Sequence, residues 1–151
     1  MFNTNTWNTQ KLSWFYAIII ALLVACASLM LIYHQIIEVF DLRIVYVIFI
    51  LLGILGFSTN LARHSKEAIS FIKAFKLCFR TGTFMFTILF TIVIVTVIVA
   101  PNIDVMKQGG LVSKESSRVG FFFSMVIEIF ATILISSFVA AFIPGMIQKS
   151  K

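Results

Sequence analysis

One acidic residue stands where acids are rarely tolerated. Glu128 lies inside a run of 25 residues, Val119 to Ile143, that carries no other charge. It follows Gly120 by eight residues, about 12 Å along a helix axis. A carboxylate at such a depth costs about 3 kcal/mol or more and must turn away from lipid. The surrounding residue types agree with an inward placement. Ser124, Glu128, Thr132, Ser136 and Ala140 recur every four residues, a small and polar ridge of the kind that lets helices approach closely. A second ridge, Thr83, Thr87 and Thr91, lies in the preceding apolar run, with Thr91 at nearly the depth of Glu128. A carboxyl-to-hydroxyl hydrogen bond between Glu128 and Thr91 is then geometrically available. Glu128, Thr91, Thr87 and Thr132 thus form a candidate intramembrane polar site. Two chemistries suit it: a proton or cation site in a small transporter or channel, or a neutral acid bonding one helix to another. No embedded base or second embedded acid accompanies Glu128, which favours the second.

Basic residues form the other candidate site. At 100° per residue, Lys73, Lys76 and Arg80 fall within about 60° of one another, while Phe71, Phe75, Cys78 and Phe79 take the far side. Such a face draws anionic lipid head groups or a partner protein, at about 1 kcal/mol per cation near the surface. The plainer reading is an orientation signal whose long side chains snorkel to the interface. The segment Leu23-Val24-Ala25-Cys26 looks like the box before the acylated cysteine of a bacterial lipoprotein, yet apolar residues continue from Ala27 to Tyr33. A buried structural cysteine is therefore expected at Cys26. Neither Cys26 nor Cys78 shows metal-ligand spacing, so no metal and no cofactor are expected. Paired carboxylates, a Ser/His/Asp arrangement and a glycine-rich phosphate loop are all missing from the sequence, which argues against an enzyme.

The elements that must position these residues follow from hydropathy. Apolar residues make up 60% of the 151-residue chain and charged residues only 12%, more oil than a small water-soluble domain can hide. The apolar runs Leu12 to Tyr33, Ile44 to Ala62, Thr81 to Ala100 and Val119 to Ile143 each suffice for a hydrocarbon core of about 30 Å. Pro101 and Pro144 are expected to end the last two. Continuous runs without period-2 alternation predict helices rather than a barrel. The predicted fold is all-α: a single domain, residues 1–151, forming an antiparallel bundle of four transmembrane helices, the third preceded by an amphipathic lead-in over 69–80. Small residues at Ala17, Ala21 and Ala25 and at Gly53 and Gly56 predict close helix contacts.

Loop charges set the orientation. Lys11, Arg63, Lys66, Lys73, Lys76, Arg80, Lys149 and Lys151 fall on one side, against Arg43, Lys107, Lys114 and Arg118 on the other, eight to four of the twelve cations. Both termini are therefore expected in the cytoplasm. The net charge of +6 comes in short blocks between apolar runs rather than along a groove, so no nucleic-acid partner is implied.

The stretch from Gly56-Phe57 through Arg63 to Ile69-Ser70-Phe71-Ile72-Lys73-Ala74-Phe75-Lys76-Leu77 resembles a family of small four-helix bacterial membrane proteins, the domain of unknown function 4199 family. Cys78 stands where that pattern carries glycine. The resemblance implies a bacterial inner-membrane protein of similar size and helix count, and brings no activity with it. The expected role is that of a non-catalytic subunit, a homo-oligomer or part of a larger membrane complex, with membrane lipids as its other partners. The alternative is a small oligomeric transporter or channel using Glu128.

Overall fold

The computed structural model describes residues 9–33, 39–65, 68–99 and 118–149. They form α1 (Thr9–Tyr33), α2 (Val39–His64), α3 (Phe71–Val99), α4 (Arg118–Ala140) and a short α5 (Ile143–Lys149). No strand occurs among the described residues. Four helical stretches are long and apolar enough to cross a membrane. Lys66, Lys107, Lys114 and Lys151, which carry part of the loop-charge asymmetry, lie outside the described residues, as does the expected break at Pro101.

Helix α1 packs against α2 and α3, and α4 packs against the same two, while α5 rests on α2. The order around the bundle is therefore α1, α2, α4, α3. Side-chain pairings fix the directions. Tyr16 meets Phe57 edge-on at 5.6 Å and Ile20 lies against Gly53, which makes α1 and α2 antiparallel. Phe71 meets Phe138 and Phe79 meets Phe130, so α3 and α4 are antiparallel too. Helices α2 and α4 run parallel, because Tyr46 pairs with Glu128 and Ser58 with Ala140, each 82 residues on.

Small residues share the interior with large apolar ones. Ala17, Ala21, Ser58, Thr81, Ser136 and Ser137 are buried beside Ile50, Ile54, Phe57 and Met85, whereas Leu52 is 59% exposed and Ile127 and Ile135 about 65%. Lipid chains are as apolar as leucine, so in a membrane large aliphatic side chains can face outward, while small residues admit close backbone contact between helices. Two glycines show how close that contact is. A Cβ at Gly53 would run into the side chain of Ile20, and one at Gly82 into Ile133.

Two element boundaries differ from the expectation. The lead-in over 69–80 is no separate segment: it forms the first turns of α3, one unbroken helix of 29 residues. Its length of about 43 Å exceeds a hydrocarbon core of about 30 Å, so a bilayer would require it to tilt or protrude. Ser70 starts it, with the Lys73 N–H donating to the Ser70 hydroxyl at 3.4 Å, an N-cap. The second difference is at the end of α4. The regular helix stops at Ala140 rather than at Ile143, turns through Ala141 and Phe142, and resumes as α5 with Pro144 in its first turn. Proline is at home there, since first-turn N–H groups have no intrahelical acceptor.

Candidate functional site

Two side-chain hydrogen bonds cross the contact between α2 and α4. Tyr46 sits on an inward stripe of α2 that continues through Ile50, Ile54, Phe57, Ser58 and Leu61, all buried. From there its hydroxyl donates to Glu128 Oε2 at 2.8 Å. Glu128 is half-buried, ten residues into α4, about 15 Å from the helix start. The inward placement of the α4 ridge holds: Glu128 and Thr132 are half-buried, Ser136 and Ala140 buried, while the Ser124 side chain lies outside the described residues.

Thr91 does not pair with Glu128. Its hydroxyl donates to the Thr87 carbonyl at 2.8 Å, and Thr87 and Thr83 do the same one turn earlier, all three exposed. The reason is rotation about the α3 axis. The inward stripe of α3 is Ala74, Cys78, Thr81, Met85 and Leu89. Thr83, Thr87 and Thr91 each follow a stripe position by two residues, about 200° around the helix, and so face outward. A hydroxyl facing lipid satisfies itself on the carbonyl four residues back. Thr132 likewise donates to the Glu128 carbonyl at 2.8 Å, so it contacts the acid residue through backbone alone.

A second bond crosses the same interface twelve residues further along. The Ser58 hydroxyl, fully buried, donates to the Ala140 carbonyl at 2.6 Å. In an unbroken helix the N–H of residue 144 would take that carbonyl, but Pro144 has none. Ser58 fills the gap, as hydroxyls of neighbouring helices do for proline-freed carbonyls in membranes. Cys78 of α3, also buried, lies beside Ser58, so three helices meet at the break.

No family model, curated protein or solved structure matches this chain. What the seam can do is set by its own groups: one carboxyl, one phenol and one serine, arranged as interhelical bonds. Among the described residues no three His, Cys, Asp or Glu side chains stand close enough to hold a metal ion.

The basic trio divides. Lys73 and Lys76 are exposed, as the amphipathic pattern predicts, but Arg80 is half-buried. Its guanidinium lies 5.2 Å from the centre of the Phe84 ring, and Phe84 stacks on Trp14 of α1 at 4.2 Å. The cation–π contact, worth about 0.5–2 kcal/mol, lies within α3, and it is the Phe84–Trp14 stack that joins α3 to α1. Cys26 is exposed on the outer side of α1, not buried. The inward stripe there is Ala17, Ile20, Ala21 and Val24, and Cys26 lies about 200° beyond Val24.

Sequence reasoning missed Tyr46 and Ser58. Tyr46 looked like one more aromatic at the edge of an apolar run. Ser58 carried a usable signal, because any proline inside an apolar helix frees the carbonyl four residues earlier and calls for a nearby donor.

Proposed function

We propose that this chain is a non-catalytic, four-span subunit of the bacterial inner membrane that works by packing against copies of itself or inside a larger membrane complex. Kinship with the domain of unknown function 4199 family and cytoplasmic placement of both termini belong to the same proposal. The hydrogen bond from Tyr46 to Glu128 carries the reading. An acid answered by a phenol on a neighbouring helix of the same chain holds the bundle together, whereas a transport site needs a succession of groups along a path. The exposed Lys73 and Lys76 suit contact with anionic lipid head groups.

Glu128→Gln tests the role of the acid. Glutamine keeps an acceptor for the Tyr46 hydroxyl at nearly the same size, so stability in detergent is expected to change by less than about 1 kcal/mol. Proton flux into liposomes is expected to be equally small for wild type and variant. A clear wild-type flux that disappears in a stably folded variant would establish the transporter alternative and overturn the structural one. Orientation is tested with single cysteines at positions 66 and 110 in a background lacking Cys26 and Cys78. An impermeant thiol reagent applied to intact cells is expected to label position 110; labelling at position 66 alone would reverse the topology.

A further inference from the structure

A groove follows the outer side of the α1/α2 contact at the end where α2 leaves its apolar span, and has a volume of about 460 Å³, well within the range of ligand sites. Phe15 and Tyr16 of α1 form its wall. Its other side is a stripe of α2 at helical spacing: Gly56, then Thr59 and Asn60, then Arg63 and His64. From Gly56 to His64 the stripe rises about 12 Å and passes from bare backbone to amide to cation. This apolar-to-cationic gradient runs in the sense of a lipid molecule, chain inward and head outward.

Gly56 differs from Gly53 one turn earlier. Packing demands glycine at position 53, where Ile20 occupies the space of any Cβ. At position 56 the nearest atom to a Cβ would be Tyr16 Cε1 at 3.7 Å, an ordinary contact. Glycine there serves to leave the floor of the groove open. At the other end, Arg63 and His64 are exposed, and among the described residues no acid lines the groove. His64 is held in place by its Nδ1–H, which donates to the Asn60 carbonyl at 2.9 Å; a carbonyl can only accept, so Nδ1 bears the proton. Two helix ends meet at this level, the carboxyl end of α2 and the amino end of antiparallel α1. Their partial charges of about half a unit oppose each other, which leaves the full charge of Arg63 to decide the sign. Lys11, exposed one turn before Phe15, adds to it.

We infer that the α1/α2 groove binds one anionic phospholipid, with the headgroup phosphate on Arg63 and Asn60 and an acyl chain lying over Gly56 against Phe15 and Tyr16. Guanidinium takes phosphate oxygens in pairs. The groove's described lining offers the Arg63 cation and no carboxylate for a choline or ethanolamine, which favours a head group of net negative charge. The site is separate from Lys73 and Lys76 on α3, and it does not depend on the subunit role proposed above.

The test uses the full chain in nanodiscs of equal phosphatidylglycerol and phosphatidylcholine, with retained lipid counted by native mass spectrometry. Wild type is expected to retain one phosphatidylglycerol, preferred about fivefold over phosphatidylcholine, the factor expected from one cation near the surface. Arg63→Gln, at an exposed position, removes the charge, and Gly56→Leu fills the floor; each is expected to abolish the preference. The Lys73→Gln/Lys76→Gln variant is expected to keep it. If Gly56→Leu does not fold, Arg63→Gln decides the matter alone. Equal retention of both lipids by wild type, or an equal loss in the lysine variant, would overturn the site in favour of general surface attraction. Displacement of the lipid by millimolar inorganic phosphate would overturn the lipid assignment in favour of a simple phosphate site.

Discussion

Helix α2 meets α1 on one face and α4 on another, and the two contacts differ in kind. Toward α1 it presents Gly53 to Ile20 and Phe57 to Tyr16, a contact made of shape. Toward α4 it presents Tyr46 to Glu128 and Ser58 to the Ala140 carbonyl, a contact made of hydrogen bonds. The bundle can absorb errors at one contact more readily than at the other. A steric error has no local remedy, because both surfaces are already in contact. A lost interhelical hydrogen bond often has one, since a hydroxyl can turn to its own helix, as those of Thr59, Thr81, Thr83, Thr87, Thr91 and Thr132 do. Ser58 is the instructive exception. It reaches across because proline has left an acceptor on α4 with no donor of its own.

The largest effect is expected where shape is violated. Gly53→Leu should lower stability by about 2–3 kcal/mol, the range for overpacked interiors, read from unfolding in mixed micelles. Adding Ile20→Ala should recover part of the loss, because the clash is with that one side chain. A neutral Gly53→Leu would mean that α1 and α2 do not approach as closely as described.

A smaller effect is expected at the proline break. Ser58→Ala strands the buried Ala140 carbonyl and should cost about 1–2 kcal/mol. Pro144→Ala supplies an N–H to that carbonyl from its own helix, so the serine substitution should cost much less in that background, and the double-mutant cycle should show coupling. Additive losses would separate the serine from the proline.

The smallest effects belong to the acid. Tyr46→Phe should cost about 0.6 kcal/mol, the average for such bonds in membranes, and Glu128→Gln less, because its amide oxygen still accepts from Tyr46. Thr91→Val should stay within about 0.5 kcal/mol and show no coupling to Glu128, since it lies on an outward surface. Strong coupling between Thr91 and Glu128 would restore the pairing that depth alone makes available.

The four spans, their approximate ends and the inward turn of the Ala17/Ala21 and Ser136/Ala140 ridges were all legible in the residues themselves. Length and continuous hydropathy suffice for the first two, because a bilayer demands about twenty apolar residues and satisfied backbone groups. Small residues mark an interface because only they allow helices to close on each other. Three matters waited for the tertiary structure: that Glu128 bonds to Tyr46 rather than Thr91, that Cys26 and the Thr83/Thr87/Thr91 ridge face outward, and that α4 breaks at Ala140 with Ser58 filling the gap. All three turn on how each helix is rotated about its axis and which helices become neighbours. In water an amphipathic stripe announces that rotation. In a chain whose outer surface and interior are both apolar the stripe is faint, and the rotation is set by the fit of one helix against the next.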